Sequence, residues 1–437
     1  MAEEESPNLK QRGEALARVK TREAVHSLLN AVGAWVAAQL EACTRCGLCA
    51  AACPFYQATR DPECTPIWKL DLLRRAYEQR YTVGGRVRLA LGLERSIGED
   101  DLRRWSNMVY YSCSGCHKCA QVCPMGIQIG QLLQSVRSAL SAGGMVPDDL
   151  MAVVHKQTRD GSPLGVGLET FKQRLEWISD EWKVSIPLDV TGADILVVFT
   201  SIEVMKFPEN VAAIAKIMAA AGERWTVSSR GRELVNFGSF EGSRERTALF
   251  VNRVIGAACG LRVKRIVTGE CGHGYDVLRW MAPNVAEVPR GLEVEHIVGR
   301  VAKYVREGRI RLKAGALDDQ TVTFHDSCKV QRRGGLIEEP REILRVLAPT
   351  AFKEMSPNRE QAICCGGGGG IFSIKAADPL RYAVFRLKMA QLARIDAKVL
   401  IAPCANCRIN FIDCVQRFNL DVRVRNVSET VAEALVE

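Results

Sequence analysis

Residues 363–370 read Ile363-Cys364-Cys365-Gly366-Gly367-Gly368-Gly369-Gly370, with Cys328 before them and Cys404-Ala-Asn-Cys407 after. Two neighbouring cysteines cannot easily turn both sulfurs onto one small tetrahedral ion. Five thiols in this pattern therefore suit a larger inorganic cluster better than a single zinc, and thiolates select soft metals and iron–sulfur clusters. The glycines let the backbone pass close to a bulky group in conformations closed to other residues. Two other readings compete: a zinc site built from four of these thiolates, and a thioredoxin-like redox pair at Cys404 and Cys407. The redox pair leaves three cysteines unexplained. No Gly-Lys-Ser/Thr follows the glycines and Lys375 lies too far on, so a phosphate loop drops out.

Nearer the N-terminus stand two matched runs, Cys43-x2-Cys46-x2-Cys49-x3-Cys53-Pro54 and Cys113-x2-Cys116-x2-Cys119-x3-Cys123-Pro124. This is the spacing of two-cluster ferredoxins, in which three close thiolates hold one cubane and the fourth crosses to the other. By that rule Cys43, Cys46, Cys49 and Cys123 hold one cubane 4Fe-4S cluster, and Cys113, Cys116, Cys119 and Cys53 hold the second. Cys113-Ser-Gly-Cys116-His117 also fits c-type haem attachment, but Cys119 and Cys123-Pro124 continue the ferredoxin pattern. His117 is then expected beside a cluster or on the surface. Cys64 is expected as a buried thiol rather than a ligand, and Cys259 and Cys414 have no partner at ligand spacing.

The chain has 437 residues, 17 cysteines and a formal charge of +9. Its length suggests two or three domains, and clustered cysteines argue for a reducing compartment with cofactors rather than disulfides. The first residues show no export signal. The longest apolar runs fall well short of the roughly 18–20 residues that cross a bilayer, so no transmembrane span is expected. Basic residues are scattered rather than interleaved with aromatics, which excludes nucleic acid as a partner class. The densest group, including Lys69, Arg74, Arg75, Arg80, Arg86, Arg88, Arg95, Arg103 and Arg104, reads as a solvated face or as a dock for an acidic protein or an anionic membrane.

Periodicity predicts a helix over 8–42 with a stripe of Leu28, Leu29, Val32, Trp35, Val36 and Leu40, and helices over 67–81 and 129–142. A Gly/Pro/Asp-rich break at 143–149 ends this module. Residues 150–190 read as a connector with a helix over 171–182. Its Gly165-Val-Gly167 follows no strand, so a dinucleotide fingerprint is unsupported. From 193 onward strands (195–199, 265–268, 321–325, 399–402, 421–424) alternate with helices, among them 380–394 with Leu380, Val384 and Leu387 inward. The class is α/β: parallel βα units behind an α-helical two-cluster ferredoxin-like domain. Ligands of such sheets collect at the carboxyl ends of strands, where Cys328 and Cys404 fall.

The two halves of the α/β region can be overlaid as a pseudo-duplication. Ser201 falls opposite Cys328, Phe237-Gly238 opposite Cys364-Cys365, and Cys271-Gly-His-Gly274 opposite Cys404-Ala-Asn-Cys407. The first half keeps one of five ligands, which predicts a single cluster, in the second half. Cys271 and His273 could face it as ligand, thiol or proton donor, or be structural remnants. His325 could supply a proton to a departing thiolate, or sit satisfied on the sheet edge. The expected domains are an N-terminal helix (1–40), the ferredoxin-like domain with a helical insert (41–149), the connector (150–192), a degenerate first half (193–310) and a complete second half (311–437).

The pattern of Cys328, Cys364-Cys365-Gly366 and Cys404-x-x-Cys407 resembles the CCG motif of the heterodisulfide reductase family. With one complete motif, and a Glu270-Cys-Gly-His273 stretch, the chain looks like that enzyme's D subunit and the related cytoplasmic subunits of the Tmc, Hmc and Dsr respiratory complexes. The resemblance implies a non-cubane 4Fe-4S cluster on Cys328, Cys364, Cys365, Cys404 and Cys407, where a disulfide of a small thiol or a partner protein is reduced or formed. It further implies a membrane cytochrome b-type partner exchanging electrons with the cubanes and with quinone, other subunits of a respiratory complex, and a cytoplasmic place on the inner face of the inner membrane. The alternative is the iron–sulfur subunit of a flavin-dependent lactate, glycolate or glycerol-3-phosphate dehydrogenase, where this chain only conducts. A third is a scaffold whose CCG site binds zinc.

Overall fold

The computed structural model describes residues 20–436, which form two compact units. One gathers the chain up to Ala152 with Gly238–Arg244 and Gly366–Leu387, and the other gathers Val153–Phe237, Glu245–Cys365 and the chain from Lys388.

The first unit is helical. Thr21–Ala31 and Ala34–Glu41 are two helices where one is predicted over 8–42, and residues 8–19 of that prediction lie outside the described part. The break falls at Val32-Gly33, since glycine inside a helix costs about 1 kcal/mol and the extended backbone of Gly33 starts the second helix. The turn carries Trp35 out of the predicted stripe to an exposed position, while Leu28, Val36 and Leu40 stay buried. Thr21–Ala31 packs on Ile129–Ala142, and at its end a Cβ on Gly143 would meet that of Ala24 at 2.9 Å. Pro66–Tyr81 starts where Thr65 accepts from the Trp68 N–H and Pro66 fills the first turn. The break at 143–149 is followed at once by a helix, Asp148–Asp160, where a connector is expected. Asp148 and Asp149 in its first turn favour the helix dipole.

The second unit holds the sheets. Ile195–Val198 (β1), Trp225–Thr226 (β2), Arg265–Thr268 (β3) and Glu293–His296 (β4) form a parallel sheet in the order β2-β1-β3-β4. Arg311–Leu312 (β5) pairs antiparallel with Leu435–Val436 (β9). Val322–Phe324 (β6), Val399–Ile401 (β7) and Arg423–Arg425 (β8) form a second parallel sheet in that order, and Phe352 bridges Val322 where β2 stands in the first. The two sheets repeat one topology. The chain leaves this unit after Phe237 and after Cys365, positions one residue apart in the overlay. β2 and β4 have no counterpart in the sequence reading. β2 is two residues long, and β4 is a half-exposed Glu-Val-Glu-His with no apolar run.

One core serves both sheets, with Val197, Ile214 and Ile217 beside Phe324, Leu344 and Ile401. Each fully buried side chain of this size contributes roughly 1.5–3 kcal/mol. The helix Asp378–Arg394 buries Leu380, Val384 and Lys388, whereas Leu387 is only half-buried.

Buried carboxylates tie the halves together at the carboxyl ends of the strands. Glu203 accepts from the Glu270 N–H at 2.8 Å and from Asn210. The Glu270 carbonyl accepts from the Ala405 N–H at 2.5 Å. Its carboxylate accepts from the N–H groups of Val427 and Ser428, which begin the helix Val427–Glu433.

Burial raises the Glu270 carboxyl to about 8, against the Ser428 and Val427 donors that pull it down. The folded chain thus holds more protons here than the unfolded chain between the ordinary 4.5 and about 8. This site's contribution to stability is greatest below that window and is lost as pH rises through it. Denaturant melts across this range should show Glu270→Gln flattening the decline by on the order of 1–3 kcal/mol. An unchanged slope would contradict the assignment.

Candidate metal centres

The two ferredoxin runs wind alike. Arg45 and Gly47 in the first, and Gly115 and His117 in the second, take left-handed backbone at matching places between the cysteines. Each run then enters a short helix, Leu48–Ala52 or Lys118–Gln121.

The sulfurs gather in two cavities, and the grouping is the crossed one. Cys43, Cys46, Cys49 and Cys123 line one cavity. Cys113, Cys116, Cys119 and Cys53 line the other. Burial pushes the Cys49 thiol up to about 11, with the Cys43 sulfur adding to the shift. Cys119 is pushed well above its ordinary value by burial and then by Cys116 and Cys113. Thiolates crowded this way repel one another, and a soft cationic core is what would make the arrangement favourable. The donor sets fit cubane iron–sulfur clusters.

The two cavities differ in surroundings. Around the first, Cys46, Leu48 and Met125 are exposed. The second contains Lys69, which is fully buried, donates to the carbonyls of Cys64 at 2.8 Å and Ser112 at 2.6 Å, and lies over the Phe55 ring. Its charge draws the Cys53 thiol down against burial, which raises it. Cys64 is buried, and His117 lines the cavity. In sequence Lys69 is only part of a basic group, because nothing in its spacing separates a buried lysine from solvated ones.

Arg137 binds this cavity's loop to the rest of the first unit. Its guanidinium, buried against the Tyr110 ring, donates to the carbonyls of Cys113 (2.8 Å), Val109 (3.1 Å), Phe240 (2.8 Å) and Gly369 (2.9 Å). A Cβ on Gly369 would stand 2.9 Å from the Cys113 carbonyl oxygen. The glycine tract packs directly on the Cys113–Ser114 backbone.

In the second unit Cys328, Cys364, Cys365, Cys404 and Cys407 are all buried. Cys328 opens the single π-turn Cys328–Arg332 beyond β6, and Cys404 caps the helix Ala405–Arg417 beyond β7. The Arg341 guanidinium, gripped by both Asp326 oxygens at 2.8 and 2.9 Å, fixes the loop before Cys328. Arg332 donates to the carbonyls of Glu360 (2.6 Å) and Ala362 (2.5 Å), anchoring the approach to Cys364. Asn410 holds the Cys365 carbonyl at 2.8 Å.

Cys407 Sγ lies 3.4 Å from Cys365 Sγ, well beyond the roughly 2.05 Å of a disulfide. A ring nitrogen of His325 and the sulfurs of Cys365 and Cys407 all lie within 4.8 Å of one another. The His325 ring stands edge-on to Phe411 at 4.7 Å, and neither nitrogen has a hydrogen-bond partner among the described residues. Burial, then the Lys388 charge, holds its pKa well below the ordinary value. Donation from Cys407, then from His273, draws the Cys404 thiol well down. Cys407 is raised by the Cys365 and Cys404 sulfurs it faces. Cys271 is buried nearby and raised by burial and by Cys404, and its sulfur accepts from the Gly274 N–H at 3.4 Å. The structure therefore brings His325, His273 and Cys271 to the pocket. Ser201, opposite Cys328 in the overlay, is instead bonded to Glu233 and to Ser162 (2.6 Å).

Two groups here escape the sequence reading. Lys388 is buried, donates to Gln391 at 2.6 Å, and is lowered to about 8 by burial against the pull of Asp326, Cys365, Cys364 and Cys407. Its signal is a lysine on the same stripe as Leu380 and Val384. His296 ends β4, packs edge-on to Tyr275, and is lowered to about 4 by burial while feeling Cys404. Two sulfurs and an unpartnered buried imidazole converge here, with Cys328, Cys364 and Cys404 buried in the same unit, and this soft donor set fits an iron–sulfur cluster.

The family model of a 4Fe-4S dicluster domain matches residues 39–127, and that of the CCG cysteine-rich domain matches residues 322–412. The chain is 28% identical to the Hdr-like menaquinol oxidoreductase iron-sulfur subunit 2 of Archaeoglobus fulgidus, over 91% of this chain and 80% of that one. It is also 28% identical to the D subunit of the dihydromethanophenazine:CoB–CoM heterodisulfide reductase of Methanosarcina acetivorans, over 91% and 94%. With the EtfAB:quinone oxidoreductase of Syntrophomonas wolfei it shares 23% identity over 91% of this chain and 58% of the relative.

The crossed grouping and the buried lysine make one joint prediction for spectra of the reduced protein. Cys53→Ser and Lys69→Met should disturb the same cubane signal, and Cys123→Ser the other. Removing the Lys69 cation should make its cluster harder to reduce, since cluster potential follows local charge. A Lys69→Met shift in the cubane that Cys123→Ser disturbs would overturn the grouping.

Proposed function

The chain is an iron–sulfur oxidoreductase subunit related to the Hdr-like menaquinol oxidoreductases and to the D subunit of heterodisulfide reductase, and from that premise we propose that it joins a membrane cytochrome b/quinone partner to a disulfide/thiol couple. The site of that couple is the buried pocket of Cys328, Cys364, Cys365, Cys404 and Cys407. The supporting observation is the convergence of Cys365, Cys407 and the unpartnered His325 within 4.8 Å. A non-cubane 4Fe-4S cluster on the five thiolates would supply one-electron steps and a soft binding site for sulfur.

Reducing a disulfide consumes two electrons and two protons and yields two thiols. The chain's own residues supply means to handle the protons. His325 is neutral at rest because burial and Lys388 disfavour its charge. A thiolate forming beside it reverses that balance and lets the ring carry a proton to sulfur. Lys388 adds a positive charge that stabilises thiolates.

Within the helical unit the loop of the Cys113 set and the glycine tract share Arg137 and are in van der Waals contact. The other cubane, with its exposed rim, takes the membrane partner's electrons or returns them. The relation to the EtfAB:quinone oxidoreductase favours one second reading, in which the chain conducts electrons for a flavoprotein.

Anaerobic oxidation in the presence of a thiol should produce a paramagnetic signal that Cys365→Ser abolishes while both cubane signals persist. Metal analysis should give about twelve irons per chain for three clusters. Eight irons with one zinc would make the pocket a structural site. A Cys365→Ser protein that keeps both the signal and disulfide turnover would move the chemistry to another subunit.

A further inference from the structure

One helix of the insert turns its apolar side to solvent. Val83–Ala90 follows Pro66–Tyr81 in a tight hairpin, and Val83 is 70% exposed, Val87 48%, Leu91 67% and Leu93 74%. At about 100° per residue, Val83, Val87, Ala90 and Leu91 share one sector of the helix. Arg86 and Arg88 flank that sector, and Gly85 and Leu89 lie opposite. Gly85 fixes this orientation: it is buried, and a Cβ there would stand 2.1 Å from the Glu78 carbonyl oxygen. A surface helix ordinarily directs its apolar stripe at the core. Here the stripe points away from it.

The exposure does not come from a loose tip. Arg88 pairs with Glu78 at 2.7 Å and Glu94 at 3.3 Å, and Gln79 donates to Glu94 at 2.7 Å. Arg80 and Arg86 are exposed and make no ion pair among the described residues, which leaves their charge directed outward. At eight residues the helix is far too short to span a bilayer, and no described helix is long and apolar enough to do so.

We propose that this hairpin seats the protein on an anionic lipid bilayer. The ridge of Val83, Val87, Leu91 and Leu93 enters the boundary between headgroups and acyl chains, and Arg80 and Arg86 meet lipid phosphates. The exposed apolar sector is flanked by arginine charge unpaired among the described residues, a combination that suits an anionic lipid interface, which deforms around an inserted side chain. Arginines beside an inserted ridge can extend their charged ends back to the headgroups, and negative lipid adds attraction that salt screens. Tyr81, exposed at the base, is a residue type suited to that boundary. The inference does not depend on what the cysteine pocket does.

Flotation of the full, anaerobically purified chain with vesicles tests it. The wild type should float with phosphatidylcholine vesicles containing phosphatidylglycerol, float poorly with phosphatidylcholine alone, and lose binding in high salt. Val83→Ser/Val87→Ser/Leu91→Ser should cut the bound fraction by at least about tenfold with iron content and helicity unchanged, since all three side chains are exposed. Arg80→Gln/Arg86→Gln should abolish the preference for phosphatidylglycerol. No flotation of the wild type, equal flotation of the triple variant, or binding only to vesicles that carry a membrane partner protein would each overturn the proposal.

Discussion

Arg137 is the constraint on which the arrangement of the helical unit depends. A buried cation is costly, and this one is offset by four carbonyl oxygens and the face of Tyr110. Those carbonyls belong to Val109 in the π-turn Asn107–Tyr111, to Cys113 itself, and to two segments that the chain brings in from far along its length. Removing the guanidinium would leave four buried acceptors without a donor, each costing about 1–3 kcal/mol. The glycine tract depends on the same point. Gly366, Gly369 and Gly370 have left-handed backbone, and a side chain on any of them would meet Val384, Cys113 or Leu150 at about the limit of contact.

The second unit divides the labour between its halves. The later half carries the five thiols. The earlier half has one thiol at the corresponding positions, Cys271, and at the place of Cys328 it has Ser201 bonded to Glu233. It still contributes: Glu270 supports the start of the helix at Ala405 and that of the last helix, and His273 reaches Cys404. The half with one cysteine at these positions supports the half that carries five.

Much of this was legible because cysteine spacing is strict and strand runs such as Ile195–Val198 are unambiguous. Spacing alone led to the expectation that Cys123 joins the first run and Cys53 the second, and these cysteines line the corresponding cavities; it also placed Cys328 and Cys404 past their strands. Burial of charge was not legible. Lys69 differs from solvated lysines only by tertiary surroundings, Lys388 is marked only by sharing the stripe of Leu380 and Val384, and His296 closes a polar edge strand with no apolar signature. The helix at 148–160 was obscured by the glycines and proline just before it. The outward ridge at Val83 reads in sequence like any amphipathic stripe, since periodicity does not say which way a helix faces.

The division of the chain into units bears on how such a protein can be made and divided. The backbone passes between the two units five times, and the helical one is completed only by Gly238–Arg244 and Gly366–Leu387. No single cut yields both bodies intact. A gene split after the last ferredoxin cysteine would encode a fragment lacking two of its own structural segments, which a partner chain would have to supply. During synthesis the helical unit stays unfinished until residue 387 has emerged, so it cannot fold ahead of the sheets in the usual domain-by-domain order.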